Sequence, residues 1–561
     1  MTVTTRTRTG AKAPHGSTAT RRFRPRHPSP YAVFGGLAWL VLTLASWRVP
    51  MCCDYGQHAA VVERLRESLM HPRHPLVDLP GDGNPYYSPY ALAQGAFARL
   101  TGLNGIETVR LATPFNLAVL LTGLNRLVRA LTPRPWAPVW ALLAVTLLWG
   151  TERAWWSGFL NLMSSTGHAG YPSAFALGAT LWAWALTADR VHAADGNGNR
   201  GGACDGRGGT GRGDHGNGGE NKGGGSDPTT ARDRPGVRFV GPRGLPGLPG
   251  YAALGVLYGL ILLTHPVTFV AAALGALAFV AASPRALTPA LLGRWATAAT
   301  VALALALAWP YADVLALAGD RGLDVMHRQL YDRLPERFWL AVVLGLPALV
   351  LRARRAGRPW RDPLTLLFLL DCAALAYGWL SGHWTYARLL GPALLPLQVA
   401  LAVELAAPRP WPRWRKALGA AAAAGAVCGL LTVHAGALVP SDRLDQPPHW
   451  PSYDWAARHV GRGETLLADG YFAPRLLPGY GVDLVAPPWP DPVLGDRERG
   501  RRLEATARYL DPATGRAGRE AVVRRYRVRW LLLTRWRRTP EEAVVVAWSR
   551  ETGEVLARVG R

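Results

Sequence analysis

Apolar residues in this 561-residue chain are gathered into blocks, among them Tyr31–Ser46, Leu340–Leu351 and Ala417–Val439, separated by connections rich in Arg, Pro and Gly. No other feature constrains the fold as strongly. A helix crossing the hydrocarbon layer of a bilayer needs ~20 residues nearly free of charge, because its backbone polar groups have no water to bind and must satisfy each other. Several blocks meet that requirement, although an overall hydrophobic content of 49% would pass for a soluble enzyme. The expected fold class is a polytopic α-helical membrane protein with about eleven transmembrane helices and a small C-terminal extracytoplasmic α/β domain.

The charge pattern sets the expected orientation. Lys and Arg number 63 against 38 Asp and Glu, a net charge of +25, which could suggest nucleic-acid binding. The cations instead fall where topology signals belong. Residues 1–30 hold Arg6, Arg8, Lys12, Arg21, Arg22, Arg24 and Arg26 without one acid, so this basic, disordered N-terminus should stay in the cytoplasm. A cleaved signal peptide shows the same order of charge and apolarity; the many later spans favour an uncleaved anchor.

Following the chain across the membrane assigns 31–440 to a transmembrane domain. The first span is followed by a long outside loop, 49–107, and the second returns near Leu131. Arg134 marks an inside turn, and the third span ends near Trp149. An outside loop then runs from Thr151 to about Tyr171, and the fourth span returns near Asp189. Segment 190–249, rich in Gly, Asn, Asp and Arg, has no apolar content to offset ordering entropy and reads as a disordered cytoplasmic linker. The fifth and sixth spans meet at His265-Pro266 on the outside. Residues 311–337 are also outside, and the cluster Arg352, Arg354, Arg355, Arg358 and Arg361 is inside. Ser381–Arg388 is outside, Arg409–Lys416 inside, and an eleventh span at about 417–439 delivers 441–561 to the outer side. There the runs 464–469, 528–534 and 543–548 are short and β-prone, while 497–510 and 515–526 are charged at helical spacing.

The five cysteines, Cys52, Cys53, Cys204, Cys372 and Cys428, lack C-x-x-C spacing, so no metal site follows from them. High Arg, Ala and Gly with few Lys suits a GC-rich bacterium by composition. The first outside loop carries the chemistry. Cys52-Cys53-Asp54-Tyr55-Gly56-Gln57-His58 puts an acid just beyond the first span. Val61, Val62, Leu65 and Leu69, interleaved with Glu63, Arg64, Arg66 and Glu67, then form an amphipathic helix suited to the membrane interface. A turn-rich aromatic stretch, Asp78 to Tyr90, follows.

This layout resembles the C-fold (GT-C) glycosyltransferases, which use polyprenyl-phosphate sugars. In that family the first-loop acid activates the acceptor hydroxyl as general base or sits at a metal; Asp54 matches the position. A second adjacent acid, present in some members, is absent, so acceptor class and metal dependence stay open, with no certain cofactor and a divalent metal compatible. The resemblance implies a plasma-membrane transferase that takes sugar from a polyprenyl-phosphate donor among membrane lipids. Its acceptor would be an extracytoplasmic glycan, lipid or protein, and nucleic acid would have no part.

Sugar transfer from a lipid phosphate needs a base for the incoming hydroxyl and a cation for the departing phosphate. Asp54 is the candidate base, against a plain helix-cap role, and His58, one turn later, could orient it. Arg388, at the outer mouth of the tenth span, is the candidate phosphate ligand, against an arginine snorkelling to the interface. His383 and His265 join it on the donor side. Tyr86, Tyr87, His168 and Asp313 are candidates for the acceptor or cavity lining, and Asp320 and Asp324 share the covering loop. Trp155 and Trp156 read as interface-belt aromatics. Two other functions fit the same layout: a non-catalytic scaffold of this fold, and a secondary transporter, disfavoured because the spans are mostly Ala, Leu and Val.

Overall fold

The computed structural model describes residues 28–49, 52–80, 83–201 and 247–560. The basic segment 1–27, Cys204 and segment 202–246 of the expected linker lie outside the described residues. Each apolar block forms a helix. In chain order these are α1 (Pro30–Arg48), α4 (Gly105–Leu131), α5 (Ala137–Leu147), α7 (Pro172–Gly201), α8 (Leu248–Thr264), α9 (Pro266–Ala281), α10 (Pro289–Leu307), α12 (Leu334–Arg355), α13 (Pro363–Ser381), α14 (Leu390–Leu405) and α15 (Arg413–Gly429). Their starts are written in the sequence. Ser29 Oγ accepts the Ala32 N–H at α1, Asn104 and Glu107 form a reciprocal capping box at α4, and Asp362 caps α13 ahead of Pro363.

Among the described residues, seven helical segments are long and apolar enough to cross a membrane: α1, α4, α10, α12, α13, Trp384–Leu405 and Arg413–Ala437. Helices α5, α8 and α9 are apolar but shorter. Helix α5, at 11 residues, rises only about 17 Å. The arrangement of surfaces is the reverse of a soluble protein's. Phe34, Leu37 and Leu44 on α1, Leu307 on α10, Val343 on α12, Leu380 on α13 and Leu431 beyond α15 are all exposed, whereas every residue of α14 is buried. An outer surface made of aliphatic side chains around a packed centre is what lipid requires.

Part of the expected linker is helical. Helix α7 continues to Gly201 and α8 starts at Leu248. The charges beyond the fourth span do not end α7 because neighbours take them up: Arg126 pairs with Asp189, and Arg190 donates to the carbonyls of Leu186 and Gly250.

The first long connection folds into α2 (Tyr55–Glu67) and α3 (Pro89–Thr101). Helix α2 does not lie open in an interface. Gly56 through Leu65 are buried apart from a part-buried His58, including the charged Glu63 and Arg64. Glu63 accepts the Gly105 N–H at the start of α4 at 2.6 Å, and Arg64 is ion-paired with Asp483, both about 1% exposed. Glycine permits the approach. A Cβ on Gly56 would lie 2.0 Å from the Arg475 carbonyl oxygen, and one on Gly105 would lie 2.1 Å from that of Ala59. The helix is therefore clamped between the bundle and the tail.

The 311–337 connection contains α11 (Asp324–His327), and α6 (Leu162–Gly167) lies in the connection after α5. The tail holds α16 (Asp454–Ala457), α17 (Ala473–Leu476), α18 (Asp496–Leu510), α19 (Arg516–Tyr526) and strands β1 (Thr465–Ala468), β2 (Asp483–Leu484), β3 (Val528–Leu533), β4 (Ala543–Trp548) and β5 (Val555–Val559). The sheet order is β2-β1-β3-β5-β4, with β1 parallel to β2 and β3, and β5 antiparallel to β3 and β4. Val77 of the first connection pairs beside Leu484, where the Leu484 N–H donates to the Leu76 carbonyl at 2.8 Å. The sheet thus fixes one end of the segment that carries Asp54.

Candidate active site

Asp54 stands at the N-terminus of α2, in the cap position, yet its side chain makes no cap hydrogen bond; the backbone carbonyl alone receives the Gln57 and His58 N–H groups. The carboxylate is thus free for other work. Cys53 before it holds φ +63, a left-handed conformation that costs a non-glycine residue ~1–3 kcal/mol and persists only when its surroundings impose it. The side chain of Asp54 keeps 40% of its surface accessible, and His58 Nε2 sits 3.4 Å from its Oδ2. Burial raises the Asp54 pKa, but the His58 hydrogen bond and charge, together with the charge of Arg388, outweigh it and hold Asp54 at about 2.

Tyrosines fix the His58 ring, with Tyr171 and Tyr86 centroids 5.2 and 6.1 Å away in edge-on contact. Tyr171 is itself tied to the start of the segment by its hydroxyl, which donates to the Cys52 carbonyl at 2.5 Å. Asn116 of α4 donates to the Ala169 carbonyl at 2.9 Å and accepts from Tyr90 at 3.0 Å, joining α3, α4 and the turn before α7.

Arg388 approaches from the 3-10 turn Trp384–Leu389 that leads into α14. Its Nη2 donates to Ser157 Oγ at 2.7 Å and to the Ser157 carbonyl at 3.3 Å. Its Nε is buried without a partner, and among the described residues no carboxylate stands within ion-pair distance. A charge placed so deep without a counter-ion is costly, and a phosphate would complete it. The charges of Asp54 and Arg388 both reach His265 and His327. His265 accepts the Thr268 N–H on Nδ1 at 3.2 Å, which leaves its ring proton on Nε2.

Asp54, His58, Tyr86, His265 and Arg388 therefore form one group whose charges act on one another. Other candidates stand apart from it. Asp313 caps a 3-10 turn, accepting from Leu315 N at 2.9 Å and Ala316 N at 3.3 Å. Tyr87 is fully buried, its hydroxyl donating to the Arg73 carbonyl and its backbone carbonyl accepting the Trp309 indole N–H at 2.9 Å. His383 contacts Asp324 at 3.5 Å and Arg321 at 2.8 Å. Asp324 also receives the Thr385 N–H at 2.9 Å and hydroxyl at 2.6 Å, so it positions the turn that bears Arg388. His168 is buried against Trp155, centroids 4.5 Å apart. Trp155 and Trp156 are part-buried: Trp155 covers His168 and Trp156 packs on His327 at 5.6 Å.

Three contributors escaped sequence reasoning. Ser157 orients Arg388. Gln57 is buried beside Tyr86, whose hydroxyl its side chain meets. His327 is buried, and burial together with the Arg388 charge pushes its pKa down to about 3, so it stays neutral. Its presence in the 311–337 connection was the available signal.

The donor set around Asp54 does not suit a hard divalent cation, which takes several oxygen ligands. Asp54 supplies one carboxylate beside an imidazole and a cation. Among the described residues the only trio of metal-capable donors is Cys52, Cys53 and His168, within 4.8 Å of one another, a soft set that fits neither magnesium nor calcium.

Neither a family model nor a curated relative matches the chain. Solved structures do. Over 90% of its length the chain superposes on 69% of the archaeal oligosaccharyltransferase AglB from Archaeoglobus fulgidus, solved in complex with an inhibitory peptide and a dolichol-phosphate, at TM-score 0.50 and 12% identity. Over 95% of its length it superposes on 40% of the arabinofuranosyltransferase AftD from Mycobacteria, at TM-score 0.54 and 15% identity. A mutant of that enzyme matches at TM-score 0.52 and 16% identity. The chain spans 40% of the mycobacterial enzyme's length, and at these identities the likeness is one of fold. The chain is a polytopic helical membrane protein with the GT-C fold of membrane glycosyltransferases.

Proposed function

We propose that the protein transfers a sugar from a polyprenyl-phosphate donor to an extracytoplasmic acceptor, with Asp54 as base and Arg388 as phosphate ligand. The observation that carries this reading is the pairing of an uncapped, accessible carboxylate with a deep arginine that lacks a counter-ion. The acceptor hydroxyl oxygen bonds to the anomeric carbon as the bond from that carbon to the phosphate oxygen breaks. The bonding pair leaves with the phosphate, which Arg388 stabilises, and the hydroxyl proton passes to Asp54. Donor binding tunes the base. A phosphate on Arg388 offsets one of the charges that hold the Asp54 pKa at about 2, so Asp54 becomes more basic when the donor is in place.

The same reading takes all eleven apolar helices as spans, with the N-terminus cytoplasmic and the tail and Asp54 outside. Its support is the charge at the opposite end of the bundle, where Arg134, Arg352, Arg355 and Arg415 cluster. The protein would then reside in the plasma membrane of a bacterial cell envelope. The test is transfer by the full chain in membranes, across a panel of polyprenyl-phosphate sugars with glycan, lipid and peptide acceptors. Product from at least one donor supports the proposal. No product from any donor favours the scaffold, and saturable uptake into vesicles without product favours a transporter.

A further inference from the structure

A second chamber opens at the end of the bundle away from Asp54, with a volume of about 490 Å³. Its walls come from the turn after α4 (Thr132, Arg134), the end of α12 (Arg352, Arg355), the turn before α13 (Arg361, Asp362) and the end of α14 (Val403, Glu404). Four arginines thus face two carboxylates. The carboxylates are already taken: Asp362 pairs with Arg352, and Glu404 with Arg355 and, at 2.9 Å, with Arg415. Arg134 donates only to the Val403 carbonyl, and the Arg361 side chain has no hydrogen-bond or ion-pair partner among the described residues. Burial lowers the Arg134 pKa; Glu404 works against this, but the like charges of Arg415, Arg355 and Arg352 reinforce it. The chamber therefore carries surplus positive charge.

We infer that this chamber binds the phosphodiester head group of an anionic membrane phospholipid. Two guanidinium groups without carboxylates supply charge-assisted donors for phosphate oxygens. The apolar part of the lining, Leu131, Phe279 and Pro363, lies where spanning helices end and lipid head groups begin. A lone phosphate ion would use the arginines but not that apolar floor, which is why the lipid is the better occupant. Such a ligand would brace α4, α12, α13 and α14 at one point, far from the transfer chemistry, so the inference stands or falls independently of the proposed activity.

The experiment is thermal unfolding and native mass spectrometry of the purified full chain in detergent, titrated with phosphatidylglycerol, phosphatidylcholine or inorganic phosphate. Phosphatidylglycerol is expected to remain bound and raise the melting temperature, with phosphatidylcholine and inorganic phosphate giving no shift at the same concentrations. Arg361→Gln should weaken phosphatidylglycerol binding about tenfold or more, the worth of one hydrogen bond to a charged group. Its own melting temperature should be unchanged, since the side chain has no partner to lose. Arg134→Gln is the second variant, expected to act in the same direction, and Arg354→Gln, on the same helix end but outside the chamber, should bind as the native chain does. Equal stabilisation by phosphatidylcholine overturns the inference, as does Arg361→Gln and Arg134→Gln binding within twofold of native. Inorganic phosphate matching the lipid overturns the choice of a lipid.

Discussion

Replacing Arg388 with alanine separates catalysis from stability, because its few protein contacts make it nearly dispensable to the fold. Its Nη2 is held by Ser157, while Nε has no partner, so at least two N–H groups can turn toward a phosphate. Each hydrogen bond to a charged group is worth ~1.5–3 kcal/mol. Two would lower the barrier by about 3–6 kcal/mol, which is about a hundred- to ten-thousand-fold in rate. Against this, the fold loses the two hydrogen bonds to Ser157, ~1–2 kcal/mol together, and is relieved of a part-buried charge without a counter-ion, so its melting temperature should move by no more than ~2–4 °C. Arg388→Lys keeps the charge but not the planar fork and should fall between the two. The assay is single-turnover transfer at saturating donor beside thermal unfolding of the same preparation. A drop in transfer below about threefold, or a collapse in stability, would refute the assignment of Arg388 to the departing phosphate.

Three further outcomes follow from the same geometry. The Asp54 pKa of about 2 lies below its unfolded value, so the stability it confers is present above about pH 4 and is lost as pH falls toward 2. In transfer assays kcat/KM should accordingly show no carboxylate limb above about pH 4, whereas the limb in kcat should lie at higher pH, because donor phosphate offsets Arg388. Identical limbs would contradict the coupling. Gly56→Val should loosen the tail from the bundle by about 1–3 kcal/mol or more, since the Arg475 carbonyl 2.0 Å from the new Cβ is backbone that cannot move aside; limited proteolysis between 440 and 454 reads this out. Arg64→Ala should cost up to about 3–5 kcal/mol, because it leaves the buried Asp483 only the longer 3.5 Å contact with Arg73, while Arg64→Met with Asp483→Leu should recover most of it; thermal unfolding of the three proteins decides.

The legible parts of the fold are those encoded locally. Span-length apolar blocks became helices because burial in lipid depends on composition along a short window, and Ser29, Asn104 and Asp362 announced their helix starts. Asp54 and Arg388 could be named because each lies just beyond a span. What depended on packing was not readable. Glu63 and Arg64 looked like the solvated face of an interfacial helix, and only their distant partners, Gly105 and Asp483, make them buried. Tyr87 and Asp313 shared their segments' chemistry but are consumed by structural hydrogen bonds. His327, by contrast, is carried to the site by a connection whose path no local pattern reveals.

The central claim rests on the Asp54 carboxylate, and Asp54→Asn tests it most directly. The amide preserves size and still meets His58, but it cannot accept the acceptor's proton. The measurement is the rate of sugar transfer in membranes from the donor that the native chain uses, normalised to folded protein by thermal unfolding. The account predicts a loss of about a hundredfold or more with the fold intact. Transfer within a few fold of native by a well-folded Asp54→Asn protein would contradict it.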